Sequence, residues 1–538
     1  MTRTASNPPV SATPPAAPRL RVGKLCVAIQ ADSVAQMMER AQAALQNMQA
    51  DARFLEFRLD SLPDPAAALP AVKRLLAGER NATVIATCRR KEFGGNFAGT
   101  LAAELAVLLG AAEAGCKIAD LEVESAEEAR PAQLDKLRAG LRAAGAALLV
   151  SYHDFKQTGD LEEAANRIAA FRPDFIKVVS TARTLSDNLA VLKLIETRSL
   201  SAQVVGIAMG EEGLVSRALG PRAGAAFTFA SYSEGADAGP GIQTAPGQVS
   251  ARTLRDLYRV EQLDHATRIY GVAGNPIAHS LSPLMQSTAF RRENVNAVLL
   301  PLKTSSLADL LTLLRELPLA GGAVTMPLKQ EILPHLANSD PLTARIGACN
   351  TLRVGADGKI VGFNTDVAGV VRPLEKRLTL KGARIAVLGA GGAARAAVFG
   401  LVDQGAQVFV VNRTHQHAVK LALEAKATAL EHGEFASGYF DVLINSTPCG
   451  MAGSKQPLPI EEGELNADLV FDMVYNPLET PLLKLAKERG IAVVSGVEMF
   501  VQQGARQFEI WTGMPAPEAE MQRVVELALR RRVEDWAQ

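Results

Sequence analysis

The chain has 538 residues, 48% hydrophobic and 21% charged, with 57 Lys+Arg against 57 Asp+Glu. This is the composition of a folded protein of several domains, not of a disordered chain, and a net charge of zero lacks the broad cationic surface of a nucleic-acid binder. Five scattered cysteines with no CxxC or Cys/His ligand spacing point to isolated thiols and to no metal, and no run approaches the ~18 apolar residues of a membrane span.

The first twenty residues, MTRTASNPPVSATPPAAPRL, lack the apolar core of a secretory signal. A disordered tail on a cytoplasmic protein is expected, with an organellar transit peptide as the alternative. From Arg21, short apolar runs alternate with Ala-rich amphipathic stretches such as 101–114 and 161–170. Strands are expected over 25–30, 54–60, 83–89, 118–124, 147–154, 175–181, 204–210 and 225–231. Eight strands alternating with helices predict a (β/α)8 barrel. The alternative, an open doubly wound sheet, would place a Gly-rich phosphate turn after its first strand, and none is present. A break near 264–266 opens a second βα series, with strands at 268–274, 298–302 and 322–326, an apolar segment at 307–317 and a hairpin turning at Asp357-Gly358. Runs at 384–388, 407–411, 441–445, 469–473 and 491–495 read as one parallel sheet, and a long helical segment follows from Val497. The chain is thus α/β throughout. Its expected units are a tail (1–20), the barrel (21–265), a substrate-binding domain (266–367), a Rossmann-type dinucleotide-binding domain (368–496) and C-terminal helices returning to the substrate domain (497–538).

In the first half, Phe54-Leu-Glu56-Phe-Arg58-Leu-Asp60 alternates, so Glu56, Arg58 and Asp60 share one face. On a solvated strand such a face is unremarkable; in a barrel its charges need partners or an anionic ligand. Arg89 ends the third strand, His153 ends the fifth, Arg217 falls in the loop after the seventh and Gln248 follows the eighth. Lys177 sits inside the apolar run FIKVV. Such a lysine either snorkels to a strand end or is desolvated beside guanidinium groups, conditions that favour the neutral amine needed for a Schiff base with a ketone. With His153 to carry protons and arginines to hold a carboxylate, the site suits a keto acid.

EFRLD, TCR with a following Gly-Gly pair, SYHDF, FIKVVSTA, SRALG and TAPGQ, in this order, resemble type I 3-dehydroquinate dehydratase over roughly residues 21–250. The resemblance implies that Lys177 forms the imine and that His153 is the general acid/base. It also implies that Glu56, Arg58, Arg89, Arg217, Thr244 and Gln248 bind the substrate carboxylate and hydroxyls. Two positions depart from the family. Thr244 stands where Ser is common, and Phe93 stands where the family has an acid before Gly-Gly. An acid there would orient the imidazole of His153. Glu92, one residue earlier, is the candidate to compensate; otherwise His153 uses another partner.

In the second half, Gly389-Ala390-Gly391-Gly392-Ala393-Ala394 follows a strand and opens a helix, so that small residues let the backbone approach a pyrophosphate at the helix N-terminus. About twenty residues on, an acid would read an NAD ribose. Here the strand ends in Asn412-Arg413-Thr414, and a guanidinium at that place favours a 2′-phosphate, hence NADP. Upstream, Ser280 and Ser282 suit a carboxylate, Thr325 ends a strand and Lys329 lies just inside the next helix. Asn350 and Asp366 add an amide and a carboxylate. Singly, each reads equally well as turn or cap chemistry. Converging beside a nicotinamide, Lys and Asp would move the proton that accompanies hydride transfer.

With NSTPCGM from Asn445, DMVYNP from Asp472 and MFVQQG from Met499, this set resembles shikimate dehydrogenase over roughly residues 266–538. The resemblance implies that Ser280, Ser282, Thr325, Asn350, Asp366, Tyr475 and Gln503 contact shikimate and that Lys329 and Asp366 form the catalytic pair. Gly389, Ala390, Gly391, Gly392 and Ala393, with Asn412, Arg413 and Thr414, would hold NADP. His417 stands where the family often has a second basic residue. Taken together, the two resemblances imply a bifunctional shikimate-pathway enzyme in the plant-type order. It dehydrates 3-dehydroquinate to 3-dehydroshikimate, then reduces that to shikimate, with no nucleic acid, membrane or obligate protein partner. A quinate dehydrogenase preferring NAD would carry an acid in place of Arg413. A catalytically silent quinate-responsive sensor would have lost Lys177, His153, Lys329 or Asp366, and all four are present.

Overall fold

The computed structural model describes residues 20–50, 52–232, 245–278 and 280–537. Eight strands open the chain: β1 (Leu25–Ile29), β2 (Phe54–Arg58), β3 (Thr83–Thr87), β4 (Ile118–Glu122), β5 (Ala147–His153), β6 (Phe175–Thr181), β7 (Gln203–Met209) and β8 (Thr228–Ser231). They pair in the order β7-β6-β5-β4-β3-β2-β1-β8, all parallel. At the seam between β7 and β8, the Ala226 N–H donates to Val204 O (2.7 Å) and the Gly210 N–H to Pro246 O (3.1 Å). Strands covered on both faces read as near-continuous apolar runs, as β1, β3 and β7 do, whereas β2 and β4 alternate apolar with charged residues.

One end of the barrel interior is filled by aromatic rings. Phe227 packs edge-on against Phe54 (4.9 Å), Phe175 (5.8 Å) and Phe229 (5.4 Å). This plug leaves the charged side chains to the C-terminal ends of the strands, where barrel sites lie. Four barrel strands are shorter than their patterns predict by two residues or more: β3 stops at Thr87, so Arg89 lies beyond its end, β8 begins only at Thr228, and β2 and β4 end early. β2 stops at Arg58 because Leu59–Ser61 turns as a 3-10 helix, so Asp60 leaves the shared face and folds back on Arg58. β4 stops at Glu122, where the helix Val123–Glu128 begins. Arg217 lies in the first turn of the helix Leu214–Ala223, not in a loop.

A second sheet contains β9 (Arg268–Gly274), β10 (Ala297–Lys303), β11 (Leu319–Val324), β12 (Asn338–Ser339), β13 (Thr351–Val354) and β14 (Ile360–Phe363), in the order β10-β9-β11-β13-β14-β12. β13 runs antiparallel to both its neighbours. The expected hairpin turns at Gly358, whose φ of 74° suits glycine. The third sheet contains β15 (Arg384–Leu388), β16 (Gln407–Val411), β17 (Thr428–Ala429), β18 (Phe440–Asn445), β19 (Ala467–Asp472) and β20 (Ala492–Val494). Its all-parallel order β17-β16-β15-β18-β19-β20 is doubly wound, with the switch point between β15 and β18, beyond whose C-terminal ends such folds bind ligands.

The helix Gly496–Thr512 leaves the third sheet and packs on the second. The Trp511 Nε1–H donates to Leu352 O (3.0 Å) and the Tyr270 hydroxyl to Trp511 O (3.2 Å). Arg372 grips Glu509 with both guanidinium nitrogens, at 2.9 and 2.7 Å. The barrel meets the second sheet through Asp309, which accepts the Leu185 and Ser186 N–H groups (2.8 and 2.9 Å). Lys303 adds ion pairs to Glu211 (2.6 Å) and Glu212 (3.0 Å). Among the described residues no helix is long and apolar enough to cross a membrane.

Truncating the ring at the centre of the plug should test how far the barrel unfolds as its own unit. Phe227→Ala removes a fully buried ring at a cost of about 3–5 kcal/mol. The loss of barrel structure, followed by far-UV circular dichroism in urea, should shift to lower denaturant. The fluorescence of Trp511, buried outside the barrel, should keep its own midpoint; a common shift of both signals would show that the chain unfolds as one cooperative unit.

Candidate active sites

Alternation along the barrel strands brings distant residues together. Glu56, Arg58, Arg89, His153, Lys177, Arg217 and Gln248 line one cavity at the C-terminal end of the barrel. Thr244 lies outside the described residues. Lys177 is 4% exposed. Its Nζ lies 2.8 Å from Asp120 Oδ2, 4.0 Å from Glu56 Oε1 and 4.4 Å from the centre of the Phe229 ring. The amine is therefore held in an ion pair within the low-dielectric interior, rather than standing alone among guanidinium groups. Burial alone would raise the Asp120 carboxyl, but Lys177 and Arg89 hold it below its ordinary value.

Each arginine is disposed differently. Arg58 is gripped by Asp60 through Nε (2.9 Å) and Nη2 (2.8 Å). Arg89, two residues beyond β3, donates from Nε to Glu122 Oε2 (2.7 Å), while its buried Nη2 makes no hydrogen bond among the described residues. Arg217 is fully buried; among the described residues it donates one long bond (3.4 Å) from Nη2 to Pro246 O, and its Nε has no acceptor. Burial pulls its guanidinium down to about 10. A buried cation with no counter-charge among the described residues suits an anion.

His153 pairs through Nδ1 with Glu122 Oε1 at 2.7 Å and stacks on Phe155. Burial, then the cations of Arg89 and Lys177, hold its imidazole well below its ordinary value, so the ring is neutral. Glu92 does not serve it: that side chain is 71% exposed and lies 3.5 Å from Arg90 Nη1. The compensation expected of Glu92 is thus overturned, because the loop turns its carboxylate outward. Asp120 and Glu122 are the residues that sequence reasoning passed over. The run Ile118-Ala-Asp120-Leu-Glu122 carries the same alternation as the strand of Glu56 and Arg58 and was the available signal.

In the second half, a 440 Å³ cavity is lined by all eight residues the sequence singled out for it: Ser280, Ser282, Thr325, Lys329, Asn350, Asp366, Tyr475 and Gln503. Lys329 Nζ lies 2.7 Å from Asp366 Oδ2, and the Asn350 amide donates to Asp366 Oδ1 (2.8 Å). The Asn350 carbonyl is fixed in turn by the Thr365 N–H and the Thr351 hydroxyl, both at 2.8 Å. Gln507, one turn beyond Gln503 on the same helix, also lines the cavity. The i, i+4 spacing was its signal.

Ala393 lines this cavity, while Gly389 lines a neighbouring 660 Å³ cavity together with Asn412, Arg413, Thr414 and His417. The N-terminus of the helix Gly392–Asp403 therefore sits between the two. It has no side-chain cap, which leaves its first N–H groups for an anion. Gly389 has φ 111°, and a Cβ there would lie 2.6 Å from Ser446 Oγ; Cβ atoms on Gly391 and Gly392 would project into open space, where a ligand can approach the backbone. Ala390 packs instead against the core of the third sheet. Arg413 makes no ion pair among the described residues, Asn412 donates to Thr414 O (3.0 Å), and β16 ends without an acid. The residues fit a dinucleotide with a phosphate on its adenosine ribose. Among the described residues no three His, Cys, Asp or Glu side chains are grouped to hold a metal.

Comparison with known proteins finds the type I 3-dehydroquinase family over residues 25–265. The shikimate dehydrogenase substrate binding domain matches 272–352, shikimate / quinate 5-dehydrogenase 373–452 and the shikimate 5′-dehydrogenase C-terminal domain 496–526. A shikimate dehydrogenase (NADP(+)) of Maridesulfovibrio salexigens is 38% identical over 49% of this chain and 96% of its own. A solved shikimate 5-dehydrogenase of Thermus thermophilus, in complex with NADP(H) and shikimate, is 35% identical with a TM-score of 0.45, over 49% of this chain and 100% of its own. The chloroplastic bifunctional 3-dehydroquinate dehydratase/shikimate dehydrogenase of Arabidopsis thaliana is 32% identical over 92% of this chain and 82% of its own. A match of that extent spans both halves in one order, and the chain belongs to the family of bifunctional 3-dehydroquinate dehydratase/shikimate dehydrogenases.

Proposed function

We infer that the chain performs two consecutive reactions at two separate sites, divided near residue 265, with a further division near 367 between the substrate-binding and dinucleotide-binding parts and the helices from 497 completing the former. The barrel dehydrates 3-dehydroquinate to 3-dehydroshikimate; the second half reduces that product to shikimate with NADPH. The observation that carries the reading is one cavity holding a buried lysine, a neutral histidine and an arginine with no counter-charge among the described residues. Lys177 passes its ammonium proton to the Asp120 carboxylate 2.8 Å away, and the neutral Nζ then adds to the substrate ketone, whose oxygen leaves as water to give an imine. With Nδ1 engaged by Glu122, the Nε2 of His153 is the nitrogen left to take the proton from the adjacent carbon and return it to the departing hydroxyl. Water then cleaves the imine and restores Lys177. Arg217 receives the carboxylate, with the unbonded Nη2 of Arg89 and the carboxamide of Gln248 beside it; Thr244, Glu56 and Arg58 complete the binding set.

In the second site Ser280 and Ser282 hold the carboxylate, and Thr325, Asn350, Tyr475 and Gln503 the ring hydroxyls. NADPH supplies the hydride. Lys329 delivers the proton to the carbonyl oxygen while Asp366, fixed by Asn350, aims the ammonium. Gly389 to Ala393 admit the pyrophosphate, and Asn412, Arg413 and Thr414 hold the 2′-phosphate. Both sites are built within one chain, so the reading needs no partner.

Borohydride added with 3-dehydroquinate should inactivate the dehydratase and add ligand mass to the peptide holding Lys177. Lys177→Ala should abolish dehydration and leave shikimate oxidation intact; labelling of another lysine overturns the assignment. Loss of the charge-assisted bonds of Arg413, worth about 1.5–3 kcal/mol each, predicts that Arg413→Ala raises the KM for NADPH roughly tenfold or more with little effect on NADH. Equal losses with both cofactors would show that Arg413 does not read the phosphate. Lys329→Ala and Asp366→Ala should each lower reductase kcat by about 10²–10⁴ with NADPH binding retained, as read by fluorescence titration; a change in cofactor affinity alone would remove both from catalysis.

A further inference from the structure

The loop after β3 does not offer His153 a carboxylate. Gly94 has φ 80°, and a Cβ on Gly95 would collide with the Arg89 backbone, so the Gly-Gly pair folds the loop onto the end of β3. Phe93 then lies under the Arg90 guanidinium, 4.8 Å from its ring centre. Glu92 points to solvent. The carboxylate that meets the imidazole comes from a barrel strand, and it has two jobs. Glu122 Oε1 faces His153 Nδ1 at 2.7 Å; Oε2 accepts from Arg89 Nε at 2.7 Å and from the Ser151 hydroxyl at 2.9 Å. Its side chain is 2% exposed. It is seated in the β4 ladder with Ser151 as its direct β5 neighbour.

We propose that Glu122 is the positioning residue for His153 in the dehydration, accepting its Nδ1–H and so fixing the tautomer that leaves Nε2 free as the base. The proposal rests on the reading of the barrel site given above. Both oxygens of Glu122 are committed to donors on opposite sides. A carboxamide in its place has one acceptor for two demands. If its oxygen stays with Arg89, its NH2 group faces Nδ1, and the imidazole must carry its proton on Nε2, the wrong nitrogen for a base.

His153 also faces Arg89 and Arg58 from the β2 and β3 side, Asp120 on β4 and Lys177 on β6. The cations disfavour its protonated form and Glu122 opposes them. Removing the Glu122 charge therefore makes the imidazole harder to protonate, and the acidic limb of the kcat/KM profile moves to lower pH.

The test is the full chain carrying Glu122→Gln, assayed with 3-dehydroquinate across pH, with shikimate oxidation at the second site as an internal control of folding. Dehydratase kcat should fall about a hundredfold, KM should stay within about threefold, and the acidic limb should shift downward. Glu122→Asp should retain the limb while losing part of kcat, and Glu92→Gln should match the unaltered chain. A rise in KM at unchanged kcat would mean that Glu122 acts only through Arg89 and would overturn the proposal, as would an unmoved pH limb or a kcat loss in Glu92→Gln. If Glu122→Gln does not fold, Glu122→Asp decides: a fall in kcat at unchanged KM supports the proposal, and a change in KM alone overturns it. Borohydride trapping in the unaltered chain separates the two readings. If Lys177 is not trapped there, the imine reading has failed; if it is trapped and Glu122→Gln behaves as the unaltered chain, only the role of Glu122 has.

Discussion

A charge enclosed in a barrel is costly to strip of water, and a counter-charge offsets that cost. In this chain that rule shapes the first site. Lys177 is neutralised by Asp120, Arg58 by Asp60 and Arg89 by Glu122, and each acid comes from a different strand or turn than the substrate logic alone would suggest. Once those pairs are made, Arg217 is left without a counter-charge beside it among the described residues. The aromatic plug at the other end makes this possible by closing the interior to water on that side.

The second site solves a similar problem with less burial. Lys329 and Asp366 are side by side but partly exposed, at 31% and 13%, so water screens the pair and its geometry needs other support. Asn350 provides that support. Its amide holds Asp366 while its carbonyl is pinned by two further donors. The helix Gly392–Asp403 then brings an uncapped N-terminus between the two cavities, so that one small-residue turn borders both.

Much of this was legible from residue order. Barrel strands were readable because burial on both faces demands apolar runs, and the end of β16 was readable at Val411 because Asn412-Arg413-Thr414 breaks the apolar run. The glycine turn was readable because Gly389 must take a positive φ close to Ser446. Other features depended on tertiary geometry. The pattern Glu56-Arg58-Asp60 gives no sign that the strand ends at Arg58, since the turn that redirects Asp60 is set by packing beneath it. Arg217 follows Gly210-Glu-Glu-Gly213, a stretch that reads as loop, yet the helix begins at Leu214 because that residue and Val215 bury themselves. Asp120 and Glu122 were passed over for a simpler reason: a search for groups that bind an anion looks for cations, and the acids that hold those cations in place carry no such mark.

Asp309 has a bearing on modularity. Its carboxylate, from the second half, caps the amides of Leu185 and Ser186 in the loop that leaves the strand of Lys177, and Lys303 ties down the loop leading to the helix of Arg217. Two rim segments of the barrel are thus anchored by a neighbour rather than by the barrel itself. Cut from that neighbour, the barrel would keep its strands and its plug, but the Leu185 and Ser186 amides would fall to water and the segments framing its mouth would gain freedom. The join between the halves is therefore part of the scaffold of the first site, and the two activities share a structural dependence even though their chemistry is separate.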